Sequence, residues 1–145
     1  MYLTGTRTHI PPALALNLAL NGVLHERIVL LTVVMEPVPR VPVHQRLEVQ
    51  DLKNGIFRVI AHNGFMNSPN IPHLLSRCSG LGLKIDLAKV TYVLGRETLL
   101  ATDRPGMALW RERLFAFLSR NAHRATSFFR LPSERVVEIG TLVEL

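Results

Sequence analysis

Six histidines, His9, His25, His44, His62, His73 and His123, and one cysteine, Cys78, are the side chains best suited to hold a metal or move a proton. Zinc sites draw donors from pairs a few residues apart, as in H-x3–5-H or C-x2–4-C, because that spacing places both on one side of a turn. No two of these histidines lie at such an interval, and a lone cysteine has no second thiol. The histidines therefore read as surface or capping residues, and no metal site is expected. Cys78 falls in a short helical stretch and reads as a small core side chain rather than a nucleophile. There is no G-x-S-x-G elbow and no Walker loop. Gly80 to Leu83, "GLGL", is a lone G-x-G after a helix, where a dinucleotide fingerprint needs a strand in front of it; it reads as a helix stop. No catalytic residue, enzymatic activity or cofactor is expected.

Two arginines carry the remaining chemistry, the binding of an anion. Arg7 lies in "TGTRTHIPP", between a first strand and a first helix. In a parallel sheet, crevices form at the carboxyl ends of strands, and free N–H groups at a helix start receive phosphate or carboxylate. Arg96 lies in "GRET", Gly95 to Thr98. The bland alternatives are an exposed loop arginine at position 7 and structural ion pairs for Arg96 and Glu97.

The elements that would position these groups can be read from the pattern. "MYLTG" opens as if already inside a strand, which implies that a longer protein precedes it. "IPPALALNLALNG" is a helix with Pro11 and Pro12 in its first turn and Gly22 as its left-handed stop. Its leucines face more than one side, so full coverage is expected. "RIVLLTVVM" is β-branched and continuous, the pattern of a central parallel strand buried on both faces. Strand, helix and strand make a right-handed βαβ unit. "EPVPRVPVH", with three prolines in nine residues, is a stiff extended connector. Asn54-Gly55 between two β-like runs marks a hairpin. A two-residue turn there places Asp51 opposite Arg58, Val49 opposite Ile60 and Leu52 opposite Phe57. Asn70 caps a short helix that ends at Gly80 or Gly82. "KVTYVLG" is a strand, and "ETLLA" is another or its continuation past a bend at Gly95. "TSFFRLP" is a helical turn, and "ERVVEIGTLVEL" an edge strand with Gly140 as a bulge. The expected class is α/β: a mixed, mainly parallel sheet of about five to six strands with a βαβ unit, a hairpin and three to four packing helices.

"RPGMALWRERLFAFLSRNA", Arg104 to Ala122, places Met107, Trp110, Leu114, Phe117 and Leu118 on one helical face at about 100° per residue. Packing on the sheet is the expected role. The segment lacks the preceding helix and tight turn of a DNA reader, and a membrane-lying helix would need no other partner for its apolar face. The totals suit one soluble domain, 1–145, with 48% apolar and 19% charged residues. No uncharged apolar run reaches the ~18–20 residues of a spanning helix. One cysteine suits a reducing compartment. The net charge of +6 favours polyanions: nucleic acid, nucleotides or anionic headgroups. Seven arginines fall between Arg104 and Arg135.

Several phrases, in order, resemble the C-terminal cytosolic part of bacterial Kup potassium transporters of the KUP/HAK/KT family. They are "PPAL", "VLHERIVLLTV", "VPRVP", "GFM", "YVLGRETL", "RPGMALWRERLFAFLSRNA" and "FFRLPSERVVEIG", and they cover nearly the whole chain. The resemblance implies a potassium/proton symporter whose membrane-spanning portion and ion path lie outside this chain. It implies a location on the cytoplasmic face of the bacterial inner membrane. The role implied is regulation or assembly, with the transmembrane portion of the same protein as partner. A homodimer and contact with anionic inner-leaflet lipid through the arginine-rich C-terminal third are further expectations. Relatives in the wider superfamily bind cyclic dinucleotides on cytosolic domains, which implies an anionic nucleotide near Arg7 or Arg96. A basic nucleic-acid-binding module is the alternative that rests on charge alone.

Overall fold

Ile28 to Thr32 are all buried, and successive residues of a strand point to opposite faces. Ile28 and Leu30 enter one apolar core with Tyr2, Ala13, Leu14 and Val93. Val29 and Leu31 enter another with Val59, Ala61, Ile71, Leu74, Leu75, Cys78, Tyr92, Leu94 and Leu131. A strand buried on both faces must sit inside a sheet and be covered from both sides. A computed structural model describes residues 1–100 and 125–144 and shows how this is done.

The chain runs β1 (Tyr2–Thr4), α1 (Pro12–Asn21), β2 (Ile28–Glu36), β3 (Leu47–Asp51), β4 (Ile56–Gly64), α2 (Ile71–Ser76), β5 (Tyr92–Leu100), α3 (Ala125–Phe128) and β6 (Val136–Glu144). Short 3-10 turns stand at Val43–Gln45, Cys78–Leu81 and Ser133–Arg135. One six-stranded sheet has the order β3-β4-β2-β1-β5-β6. All neighbours are parallel except the β3–β4 hairpin. The α/β class, the βαβ unit β1-α1-β2 and the central place of β2 agree with the sequence reading. The segment Arg104 to Ala122 lies outside the described residues.

Local chemistry sets the helix ends. Pro11 and Pro12 open α1, and Gly22, at φ +64°, closes it by donating its N–H to the Leu18 carbonyl at 2.9 Å. Asn70 caps α2, its side-chain oxygen accepting from the His73 N–H at 3.1 Å. Gly82, at φ +88°, ends the 3-10 turn that follows. The α3 turn is tied to α2 by the Ile71 N–H donating to the Phe129 carbonyl at 3.2 Å.

Three expectations are corrected. The hairpin register is shifted by one: Val49 faces Val59, Gln50 faces Arg58 and Asp51 faces Phe57. Opposed residues share a face, and Val59 and Ala61 enter the core on the α2 side, while Ile60, also buried, faces the other side of the sheet. Only this register puts Leu47 and Val49 on the core side with them. The loop accordingly has three residues, Lys53, Asn54 and Gly55, all at positive φ, and the Asp51 carboxylate accepts from the Lys53 N–H at 2.7 Å. Gly140 makes no bulge: β6 pairs with β5 without interruption from Val136 to Glu144, and β5 runs through Gly95 unbroken. Helix α1 is not covered all round. Ala13 and Leu14 are buried, but Leu18 is 45% and Leu20 71% exposed, because α1 meets a sheet on one side only.

Leu75 is buried in the larger core, so Leu75→Ala is expected to cost about 2–5 kcal/mol in urea unfolding, while Leu20→Ala stays within about 0.5 kcal/mol. Burial also pushes the Cys78 thiol up from its ordinary range. A thiol reagent at neutral pH is expected to leave the native chain unlabelled and to label Cys78 only once urea has unfolded it.

Candidate functional site

Strand order reverses direction between β1 and β5. The chain leaves β1 toward β2 and leaves β5 toward β6. Such a switch opens a crevice beyond the carboxyl ends of the two strands. A cleft of about 460 Å³ lies past the end of β1 and beside the middle of β5, lined by Leu3, Thr4, Gly5, Thr6, Pro11, Pro12, Ala13, Leu16, Gly95, Arg96 and Ile139. Of the two stretches singled out in the sequence, Gly95 and Arg96 of β5 line this cleft, and Arg7 lies one residue beyond the lining Thr6.

Its polar groups are mostly committed to the fold. The Thr6 N–H donates to Thr4 Oγ1 at 3.2 Å, and Thr32 Oγ1 donates to the Thr6 carbonyl at 3.1 Å. These bonds hold the loop after β1 in one shape. Asn17 of α1 donates to the hydroxyl of buried Tyr2 at 2.7 Å, which fixes the helix over β1. The start of α1 is a weak anion cradle. Pro12 has no N–H, and the Leu14 and Ala15 N–H groups both donate to the Pro11 carbonyl, at 2.9 and 3.1 Å. Of the first helical residues, that leaves Ala13.

Arg96 lines the cleft, but it shares its strand face with Leu94 and Tyr92, whose side chains enter the core on the α2 side. Its guanidinium lies 3.4 Å from Glu138 on the neighbouring strand, the structural ion pair that was the bland alternative, with Glu138 as acceptor. Arg7 is exposed and one residue beyond the lining Thr6. The crevice thus has an apolar body formed by Leu3, Ala13, Leu16 and Ile139, with Arg7 just outside its lining and the guanidinium of Arg96 paired with Glu138.

A second cluster was not legible in the sequence. His62 on β4 stands between two carboxylates, Nδ1 at 2.7 Å from Glu36 Oε1 on β2 and Nε2 at 3.0 Å from Glu48 Oε1 on β3. The ring is mostly buried, and the three residues line a cleft of about 480 Å³ with Val38, Arg40, Val41, Pro42 and Gln45. The carboxylates meet opposite edges of the imidazole, so the donors do not converge on one point. Among the described residues no group of His, Cys, Asp or Glu has the geometry to hold a metal. The cluster acts as a strap across three strands. The signal that would have found it is strand register: the three residues are 12 to 26 apart in sequence.

Comparison with known proteins adds what geometry leaves open. The family described as the K+ potassium transporter C-terminal domain matches residues 1–145. A probable potassium transport system protein Kup from Nitrosomonas eutropha is 55% identical over the whole chain, which covers 23% of that protein. The Myxococcus xanthus protein of the same name is 52% identical, with 100% of this chain and 22% of that one covered. Kup 1 of Geobacter sulfurreducens is 47% identical, again over the whole chain and 23% of the relative. The chain spans less than a quarter of the length of these curated relatives. No solved structure matches it. By this match the chain belongs to the K+ potassium transporter C-terminal domain family.

Proposed function

We propose that this chain is a regulatory or assembly domain, without enzymatic activity, of a potassium/proton symporter that takes up K+. Coverage supports the reading most directly: proteins named for potassium transport match all of this chain with under a quarter of their own length. A spanning helix needs about 20 apolar residues, and no described helix is long and apolar enough to cross a membrane. The ion path is therefore assigned to the rest of such a protein. The transmembrane portion is the domain's partner, on the cytoplasmic face of the bacterial inner membrane. There the net charge of +6 favours anionic lipid by roughly 1 kcal/mol per basic residue near the surface.

Deleting residues 1–145 from an intact transporter is the test. Rubidium uptake is expected to change about fivefold or more in rate or half-saturation, the low end of a regulatory coupling, or the oligomer is expected to fall apart. An unchanged uptake curve with an unchanged oligomer refutes the reading.

The switch-point crevice favours a second reading, nucleotide sensing. Its apolar body suits a base, and Arg7 is exposed one residue beyond its lining for a phosphate; a cyclic dinucleotide has both parts. The nucleic-acid alternative draws no comparable support from the described residues. A nucleotide at 100 times its Kd is expected to add about 2.7 kcal/mol of stability in thermal unfolding. Arg7→Ala is expected to remove that gain, and no shift with any nucleotide ends this reading.

A further inference from the structure

His62 meets a carboxylate at each ring nitrogen, Glu36 Oε1 at 2.7 Å from Nδ1 and Glu48 Oε1 at 3.0 Å from Nε2. Both distances are those of hydrogen bonds, and an ionised carboxylate only accepts. A neutral imidazole has one N–H and one bare nitrogen. Between two ionised acids it fills one contact and sets a lone pair against an oxygen at the other. The two bonds together therefore need one proton more than a neutral ring between two carboxylates carries. The imidazolium, with two N–H groups, satisfies both at once.

The surroundings decide which contact opens when that proton leaves. Glu36 is 32% exposed and lies on β2, which is paired with β4 on one side and β1 on the other. Glu48 is 54% exposed and lies on β3, at the end of the strand order. The shorter bond, to the less exposed acid, keeps the remaining N–H, and Glu48 has solvent to turn into. The other charged groups do not take the place of the proton. Arg40, from the connector after β2, shares the cleft, but among the described residues neither acid has a second ion-pair partner within 4.0 Å. The Arg46 guanidinium donates to the Val41 carbonyl at 2.9 Å, and Arg58 is on the same face of β4 four residues back.

We propose that His62 is a proton-operated clasp on the β3–β4 hairpin. With the extra proton in place, side chains tie β3 to both β4 and β2. Its loss releases Glu48 and leaves β3 held by its backbone ladder to β4. Glu48 and His62 also line the cleft of about 480 Å³ beneath the connector, so opening the clasp alters a wall of that cleft. The proposal does not rest on the transport reading, since it concerns the 145-residue chain alone.

The test compares this chain with its Glu48→Gln variant in urea unfolding at about pH 5.5 and about pH 8.5, on either side of the ordinary histidine range. At the acid pH the substitution removes a charge-assisted bond and is expected to lower the folding constant about fivefold. At the alkaline pH that cost is expected to vanish or reverse, because a glutamine amide donates to the bare nitrogen where a carboxylate cannot. Ring nitrogen NMR of the native chain gives a readout that does not depend on the variant. His62 is expected to carry two N–H protons at the acid pH and one at the alkaline pH. A cost of Glu48→Gln that does not fall between the two conditions overturns the proposal, as does a His62 ring whose proton count is the same in both.

Discussion

Everything in this structure depends on the burial of β2 on both faces. Residues of opposite parity along Ile28 to Leu31 feed two separate cores, so the chain must cross the sheet on both sides. The crossover from β1 to β2 supplies α1 to one face, and the crossover from β4 to β5 supplies α2 to the other. Strand order then has to reverse between β1 and β5, and the crevice at that reversal follows from the topology. The same constraint makes the two faces unequal. The α2 face receives α2, the 3-10 turn around Cys78 and Leu131. Among the described residues, the α1 face receives the side chains of a single ten-residue helix.

Much of this was legible because local chemistry wrote it. The Pro11-Pro12 start and Gly22 stop of α1, the Asn70 cap and the continuous β-branched run of β2 are short-range signals, and each falls where the pattern puts it. The place of Arg96 was legible only in part: the pattern allowed a bend at Gly95, and β5 runs straight through it, so Arg96 is a strand residue. The hairpin shows where local signals stop. Asn54-Gly55 marks the turn, but a two-residue and a three-residue loop differ by one step of register. Burial of Val59 and Ala61 decides that step, not the turn. The coverage of α1 was misread for a related reason. Leucines at Leu18 and Leu20 state that a helix is apolar, while which sides find a partner depends on elements far away in sequence. His62 was invisible as a bridge because its two acids come from different strands.

The crevice carries a lesson about helix starts. A helix N-terminus binds anions through unpaired N–H groups as much as through its dipole. Two prolines at the start of α1 fix its first turn but strip donors from it, and the Pro11 carbonyl takes two more. What remains is an apolar slot with arginines nearby, one of them held by Glu138. Sequence alone suggests the opposite weighting, since Pro-Pro before a helix reads as a well-made start without revealing how few donors survive it.

The polar contacts share one character: they tie strand to strand or loop to sheet, and few converge on an open point. His62 links β2, β4 and β3, Asn17 pins α1 to Tyr2, Thr32 holds the loop after β1, and Arg135 donates to the Leu87 carbonyl at 2.6 Å. Catalysis needs groups aimed at a reacting atom; a body that moves or docks as a unit needs internal ties of this kind. A parallel sheet stiffened from end to end transmits a displacement at one edge to the other with little loss, because packed interiors yield in steps and not continuously. Among the described residues, the groups outside these ties lie at the periphery: the outer edge of β6, the outer side of α1 and the rim of the crevice. The sheet between them serves to keep those three in fixed relation.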